Sequence, residues 1–177
     1  MNTEQQNTAA GPELVVGVSP HIHSGASVER IMLDVVIALL PAVAAALYFF
    51  GLNAARLIVT CVATCLATEW ICRRLMGRNN TLGDFSALVT GLLLALNLPP
   101  GLPTWMAIAG GVFAIAVAKQ VFGGLGYNPF NPALAARAFL LISFTGPMTT
   151  WSASCIDATS TATPLGMVKE AFKAGAP

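Results

Sequence analysis

The sequence predicts an all-α integral membrane protein with about five membrane segments, two of them short. Three observations predict it. Of the 177 residues, 55% are hydrophobic and only 10% charged, with a mean hydropathy of +0.70, whereas soluble domains carry roughly 25% charged residues. Apolar runs recur at 31–50, 55–71, 85–98, 105–122 and 133–144. Glycine, proline or arginine clusters separate them. The net charge is +1 and no basic patch exists, which argues against a nucleic-acid partner. Membrane lipid is the expected surrounding.

The segment 1–27 is polar apart from Leu14, Val15 and Val16, and reads as a cytoplasmic arm. It lacks the basic start and cleavable apolar run of a signal peptide. His21 and His23 have no third ligand nearby, so no metal site is expected there. The membrane region is 28–150. Its first run, 31–50, has Asp34 near its start and Pro41 in its middle, and it suffices to cross a bilayer, which takes about 20 apolar residues. Gly51, Leu52 and Asn53 read as a short turn. The second run carries Glu69 near its end, and Arg73, Arg74 and Arg78 follow at once. Arginines gathered in one short loop mark it as cytoplasmic.

The run 85–98 begins after Gly83 and Asp84 and ends at Pro99 and Pro100. The run 105–122 carries Lys119 near its end, and the run 133–144 contains Arg137. Two short runs bounded by glycine or proline read either as broken helices facing protein or a wet cavity, or as ordinary tilted helices with polar ends. Between them lie Gly123, Gly124, Gly126, Pro129 and Pro132, which let the backbone bend. No strand precedes these glycines and their spacing differs from Gly-x-Gly-x-x-Gly, so they form no dinucleotide fingerprint. Counted from an inside N-terminus, five crossings leave 151–177 outside the cell.

Four cysteines are present. Cys61, Cys65 and Cys72 fall in one apolar segment, where a thiol behaves as a small hydrophobe. With Cys155 they form no Cys-x-x-Cys pair and no Cys/His set, so a zinc or iron–sulfur centre built by this chain alone is not expected. Charges at membrane depth cost about 2.5–3.5 kcal/mol on insertion scales and tend to be paired or functional. Glu69 is therefore either a carboxylate reaching the inner interface or pairing with Arg73, or, with Asp84, part of a cation path.

The final segment contains Asp157-Ala158-Thr159-Ser160-Thr161-Ala162-Thr163-Pro164-Leu165. Thr163 followed by Pro164, with Gly175 beyond, reads as a helix start and stop. Leu165, Val168 and Phe172 share one face at helical spacing. The Thr163 hydroxyl is then a simple cap, or it carries a phosphate at the positive end of the helix.

The pattern Asp-x-x-Ser-x-Ala-Thr-Pro-Leu resembles the flavinylation motif of the membrane proteins RnfD and NqrB, with Thr161 where the family pattern has glycine. The stretch from Lys119 to Ala138 and the run from Asp84 to Pro100 are similar to segments of the same family. The resemblance implies that Thr163 holds FMN through a phosphoester, with Asp157, Ser160 and Ala162 in the surrounding motif. Riboflavin is a second flavin it allows. It also implies a helical bundle with an inverted repeat, of which this chain holds the first half. A place in the Rnf complex beside its G, A, E and C components follows from it, as does a flavin transferase for maturation. The activity implied is that of an electron carrier in a translocase of the bacterial or archaeal plasma membrane, coupling ferredoxin and NAD to Na+ or H+ movement. The matching glutamate of the NqrB family is implicated in sodium uptake, which implies that role for Glu69. NqrB of the sodium-pumping NADH:quinone oxidoreductase, or a flavin-free channel or transporter half, are the alternatives.

Overall fold

The computed structural model describes residues 27–77 and 82–150, together with Lys169 and Phe172. Its described residues are almost wholly helical, with no strand among them. Helix α1 spans Val28–Leu75, 48 residues, opened by Ser27, whose hydroxyl accepts from the Arg30 N–H at 3.3 Å. At Gly51 the backbone takes φ 56 and ψ −134, which is not helical. Only glycine adopts that geometry cheaply. The expected three-residue turn at 51–53 is thus a break confined to Gly51, with helix assigned on either side. Each limb of α1 is long enough, at about 1.5 Å per residue, to cross a hydrocarbon core of about 30 Å.

A 3₁₀ turn at Leu82–Asp84 leads to α2, Ser86–Asn97, which stops before Leu98, Pro99 and Pro100. The residue before a proline is pushed out of helical geometry, so the stop follows from the sequence. Helix α3, Thr104–Val112, continues without a break as a π-helix over Phe113–Gln120. The glycines Gly123, Gly124 and Gly126, all at positive φ, then carry the chain to α4, Pro132–Ser143. Asn131 caps α4 by accepting from the Ala133 N–H at 3.0 Å, and Pro132 occupies the first turn. A five-residue helix α5, Thr145–Thr149, ends the described bundle. The two short apolar runs are therefore 12-residue helices, α2 and α4.

Contacts fix the running directions. Met32 shares a cavity with Ser86 and Val89, while Ala46 and Phe50 share another with Leu96 and Leu98. The first limb of α1 therefore runs alongside α2 in the same direction. The second limb runs back: Arg56 donates to the Leu102 carbonyl at 2.8 Å, and Glu69 meets Lys119. Helix α3 and its π extension run with that second limb. Helix α4 runs against them, since Leu140 lies on Gly110 and Arg137 donates to Asn97 Oδ1 at 3.0 Å. Trp105 meets Phe144 edge-on at 5.2 Å at the same end. One end of the bundle thus gathers Gly51, Leu98 and Phe144, and the other gathers Arg73, Ser86, Gln120 and Asn131.

Leu57, Cys61, Leu94, Leu102, Met106, Ala114, Ala136 and Leu140 form the core between the second limb, α2, α3 and α4. The expectation that the α1 thiols act as small hydrophobes holds for Cys61 and Cys65, both fully buried; Cys72 is half-buried. No residue of the first limb is buried; Ile31, Ile37, Leu40 and Leu47 are all exposed.

Candidate functional site

The bundle buries a polar network near the end that carries Arg73. Glu69 and Lys119 are 0% and 1% exposed. The Lys119 ammonium donates to Glu69 Oε1 at 2.8 Å, to Glu69 Oε2 at 2.9 Å and to Ser86 Oγ at 2.6 Å. An ammonium has three N–H donors, so each has an acceptor. Ser86 in turn donates its hydroxyl to Asp84 Oδ1 at 2.6 Å. Gln120 Nε2 donates to Glu69 Oε1 at 3.2 Å. The result is one chain of charge-assisted hydrogen bonds from Asp84 through Ser86 and Lys119 to Glu69.

Local backbone places these groups. Asp84 also accepts from the Ser86 N–H at 3.0 Å, capping the start of α2. Between them Phe85 sits at φ 56, in the left-handed region. A bulky residue there is strained by about 1–3 kcal/mol, and such strain gathers at functional sites. On the other side, the adjacent residues Lys119 and Gln120, at the end of the π-wound stretch 113–120, both bond Glu69. Short π stretches likewise recur at functional positions.

Beside the network lies a cavity of about 380 Å³, within the range of small-molecule sites. Ser86, Thr90, Lys119, Asn128 and Asn131 supply its polar lining, and Val89, Leu93, Leu125 and Phe130 are among its apolar walls. Both 12-residue helices begin at it, since Ser86 opens α2 and Pro132 opens α4. Their positive ends favour electron-rich groups. The buried Asn128 Oδ1 has no hydrogen-bond partner among the described atoms.

Of the ionisable residues singled out from the sequence, the structure joins Glu69, Asp84 and Lys119. Glu69 does not reach the surface; it is held in the interior by Lys119. Asp34 is exposed, and Arg137 binds Asn97 apart from the network. Sequence reasoning missed Ser86 and Gln120 and did not pair Lys119. The signal for the pair was there: opposite charges sit near the same end of two apolar runs. Asp157, Ser160, Ala162 and Thr163 lie outside the described residues. Of the short helix expected after Thr163, Lys169 and Phe172 are described, and both are helical and exposed.

Comparison with known proteins gives this arrangement a family. The model of the NQR2, RnfD, RnfE family matches residues 15–176. The chain is 52% identical over 157 residues to the D component of the Na+-translocating ferredoxin:NAD+ oxidoreductase complex of Acetobacterium woodii, covering 88% of this chain and 49% of that protein. It is 43% identical over 157 residues to the D component of the proton-translocating ferredoxin:NAD+ oxidoreductase complex of Clostridium ljungdahlii, covering 87% and 47%. To the D component of the ion-translocating oxidoreductase complex of Salmonella newport it is 49% identical over 138 residues, covering 77% and 39%. The chain thus spans about half the length, or less, of the curated relatives it matches. Its apolar helices agree with a membrane protein, and with these matches the chain belongs to the NQR2, RnfD, RnfE family, on its RnfD side.

Proposed function

We propose that this chain is the flavin-carrying membrane portion of an RnfD protein, an electron carrier in an Rnf complex that couples ferredoxin and NAD to Na+ or H+ movement. The observation that carries this reading is the Asp157–Leu165 motif inside a chain matched along nearly its whole length by the family. The relatives from Acetobacterium woodii and Clostridium ljungdahlii are themselves named for ferredoxin:NAD+ oxidoreductase complexes. The other Rnf components, G, A, E and C, are the partners this reading requires.

The same reading gives a topology of five crossings. Arg73 and Arg74 close α1 at one end of the bundle, and α4 runs away from that end. With the arginines cytoplasmic, the chain leaves α4 on the outer face, and Thr163 follows there. Two short helices bounded by glycine and proline support a first half of an inverted repeat. FMN held on Thr163 would supply one- and two-electron transfer; the chain's part is to hold and position it.

The test is fluorescence of the protein on a denaturing gel under ultraviolet light, after expression with the flavin transferase. A bright band is expected, and Thr163→Ala should darken it completely. A dark band from the unaltered chain would favour a flavin-free transporter half.

The same reading puts the second flavin it allows, riboflavin, in the cavity beside Lys119. Apolar walls suit a flat ring, while Asn128, Asn131 and Thr90 offer hydrogen bonds to its edge. Asn128→Leu should lower acid-extractable riboflavin by about tenfold while leaving the fluorescent gel band intact. Equal riboflavin in both proteins would remove this assignment.

Glu69 and Asp84 form the inner part of the ion path in this reading. Glu69→Gln keeps an acceptor for Lys119 but removes the charge. Its expected result is loss of Na+ dependence in coupled electron transfer, and unchanged Na+ dependence would count against the path.

A further inference from the structure

We infer that Arg73 is a positioning residue for the cavity beside Lys119: its guanidinium props the glycine-rich turn at 123–126 and so fixes the cavity wall that follows. This rests on reading that cavity as the riboflavin site. It adds a residue outside the lining that sets how well the site holds its ligand.

Arg73 lies in the last turn of α1 and is 9% exposed. Its guanidinium reaches the turn that follows the π stretch. A Cβ on Gly124 would lie 3.0 Å from Arg73 Nη2 and 3.9 Å from its Cζ. The flat group therefore takes the space beside Gly124 where a side chain would stand. Glycine suits this position twice over, since a φ of 100 is cheap for glycine alone. The Gly124 N–H donates to the Lys119 carbonyl at 3.1 Å, and its own carbonyl accepts from the Tyr127 N–H at 3.2 Å. Gly124 is thus the centre of the turn, and Arg73 bears on it from α1.

The turn leads directly into the cavity wall. Of the 13 residues that line the cavity, seven belong to 125–132. Among them is Asn128, whose buried Oδ1 has no hydrogen-bond partner among the described atoms. The far end of this wall is fixed where Asn131 caps α4. The near end holds Gly123, Gly124 and Gly126, all at positive φ. Glycine has the widest backbone freedom, so local stiffness does not set the near end. The contact with Arg73 ties it to α1. A binding group works only when its supports hold it to within about 0.5 Å, and Asn128 stands four residues beyond Gly124.

The guanidinium is not needed to hold the bundle together. Its buried Nε has no hydrogen-bond partner among the described atoms, so an apolar side chain of similar length strands no partner there. Position of the wall and integrity of the fold can therefore be read apart.

Two readings of the purified full complex test the inference. Hydrogen exchange over 121–131 is compared in protein stripped of riboflavin, so that it reports the turn alone. Arg73→Met should speed exchange there at least threefold, while the second limb of α1 and α3 keep their protection. Acid-extractable riboflavin per covalent FMN reads the cavity. It should fall at least fivefold in Arg73→Met and return to at least half when riboflavin is supplied in excess, because a loosened wall weakens binding without abolishing it. Arg74→Met is the control. Arg74 is exposed and lies over the Trp70 ring at 5.5 Å, so its loss removes the same charge and should change neither reading.

Unchanged exchange over 121–131 in Arg73→Met would overturn the inference. Equal riboflavin loss in Arg73→Met and Arg74→Met would do so too, since charge and not position would then be the cause. Riboflavin that an excess fails to restore would also count against it. If Arg73→Met does not assemble, Gly124→Ala replaces it, because its Cβ would press on Arg73 Nη2 at a φ unsuited to alanine. The same two changes are expected, and their absence would be as damaging. The two readings fail separately. If Asn128→Leu keeps its riboflavin, the cavity is not the riboflavin site, and the exchange comparison still decides whether Arg73 holds the turn. If Asn128→Leu loses riboflavin and Arg73→Met does not, only this inference falls.

Discussion

Glu69→Leu is expected to destabilise the protein by about 3–5 kcal/mol, the usual cost of removing one partner of a buried ion pair. The substitution leaves the Lys119 ammonium at 1% exposure with only Ser86 as a named acceptor. The cost comes from the stranded charge rather than from the lost attraction. The double substitution Glu69→Leu/Lys119→Met should therefore recover most of the loss, since well-packed apolar residues often replace a buried pair at little or no cost. Thermal unfolding of the purified protein in detergent checks both. Double and single variants melting together would mean that the pair is not the source of the effect.

Gly91→Val is the second large expected effect, at about 1–3 kcal/mol or more from overpacking. A Cβ at Gly91 would lie 2.8 Å from Val62 Cα, 3.1 Å from Val62 N and 3.2 Å from the Cys61 carbonyl oxygen. These are backbone atoms, so α2 and the second limb of α1 would have to move apart. Small residues let membrane helices approach this closely. Separation of these two helices would also pull Ser86 away from Lys119. Gly110→Ala provides the contrast. Its Cβ would come 2.6 Å from Leu140 Cδ1, the far end of a side chain that can turn away. It should cost clearly less than Gly91→Ala. Equal losses at the two positions, measured by thermal unfolding, would contradict this reading of the packing.

Much of the helical layout was legible. Gly51, Pro99–Pro100 and the glycine- and proline-rich stretch before Pro132 punctuate the apolar runs, and the helices stop and start at them. The short runs at 85–98 and 133–144 correspond to α2 and α4. The site was less legible because it is made between elements. Lys119 and Glu69 are 50 residues apart, and no local pattern pairs them. Lys119 and Gln120 are neighbours at the end of the π-wound stretch, and both reach one carboxylate. Phe85 breaks a local rule outright, since nothing about phenylalanine favours φ 56. Places where local preference yields to the fold are expected at functional sites, and here the strained residue sits between Asp84 and Ser86. The Thr163 motif falls outside the described residues, so its reading rests on the sequence alone.

The most direct measurement of the flavin assignment is the mass of the peptide carrying Thr163, taken from the chain expressed with the flavin transferase. One FMN joined by loss of water is expected, on the Thr163 hydroxyl and nowhere else in the peptide. An unmodified Thr163 after full co-expression, or a flavin fixed to another residue, would contradict it.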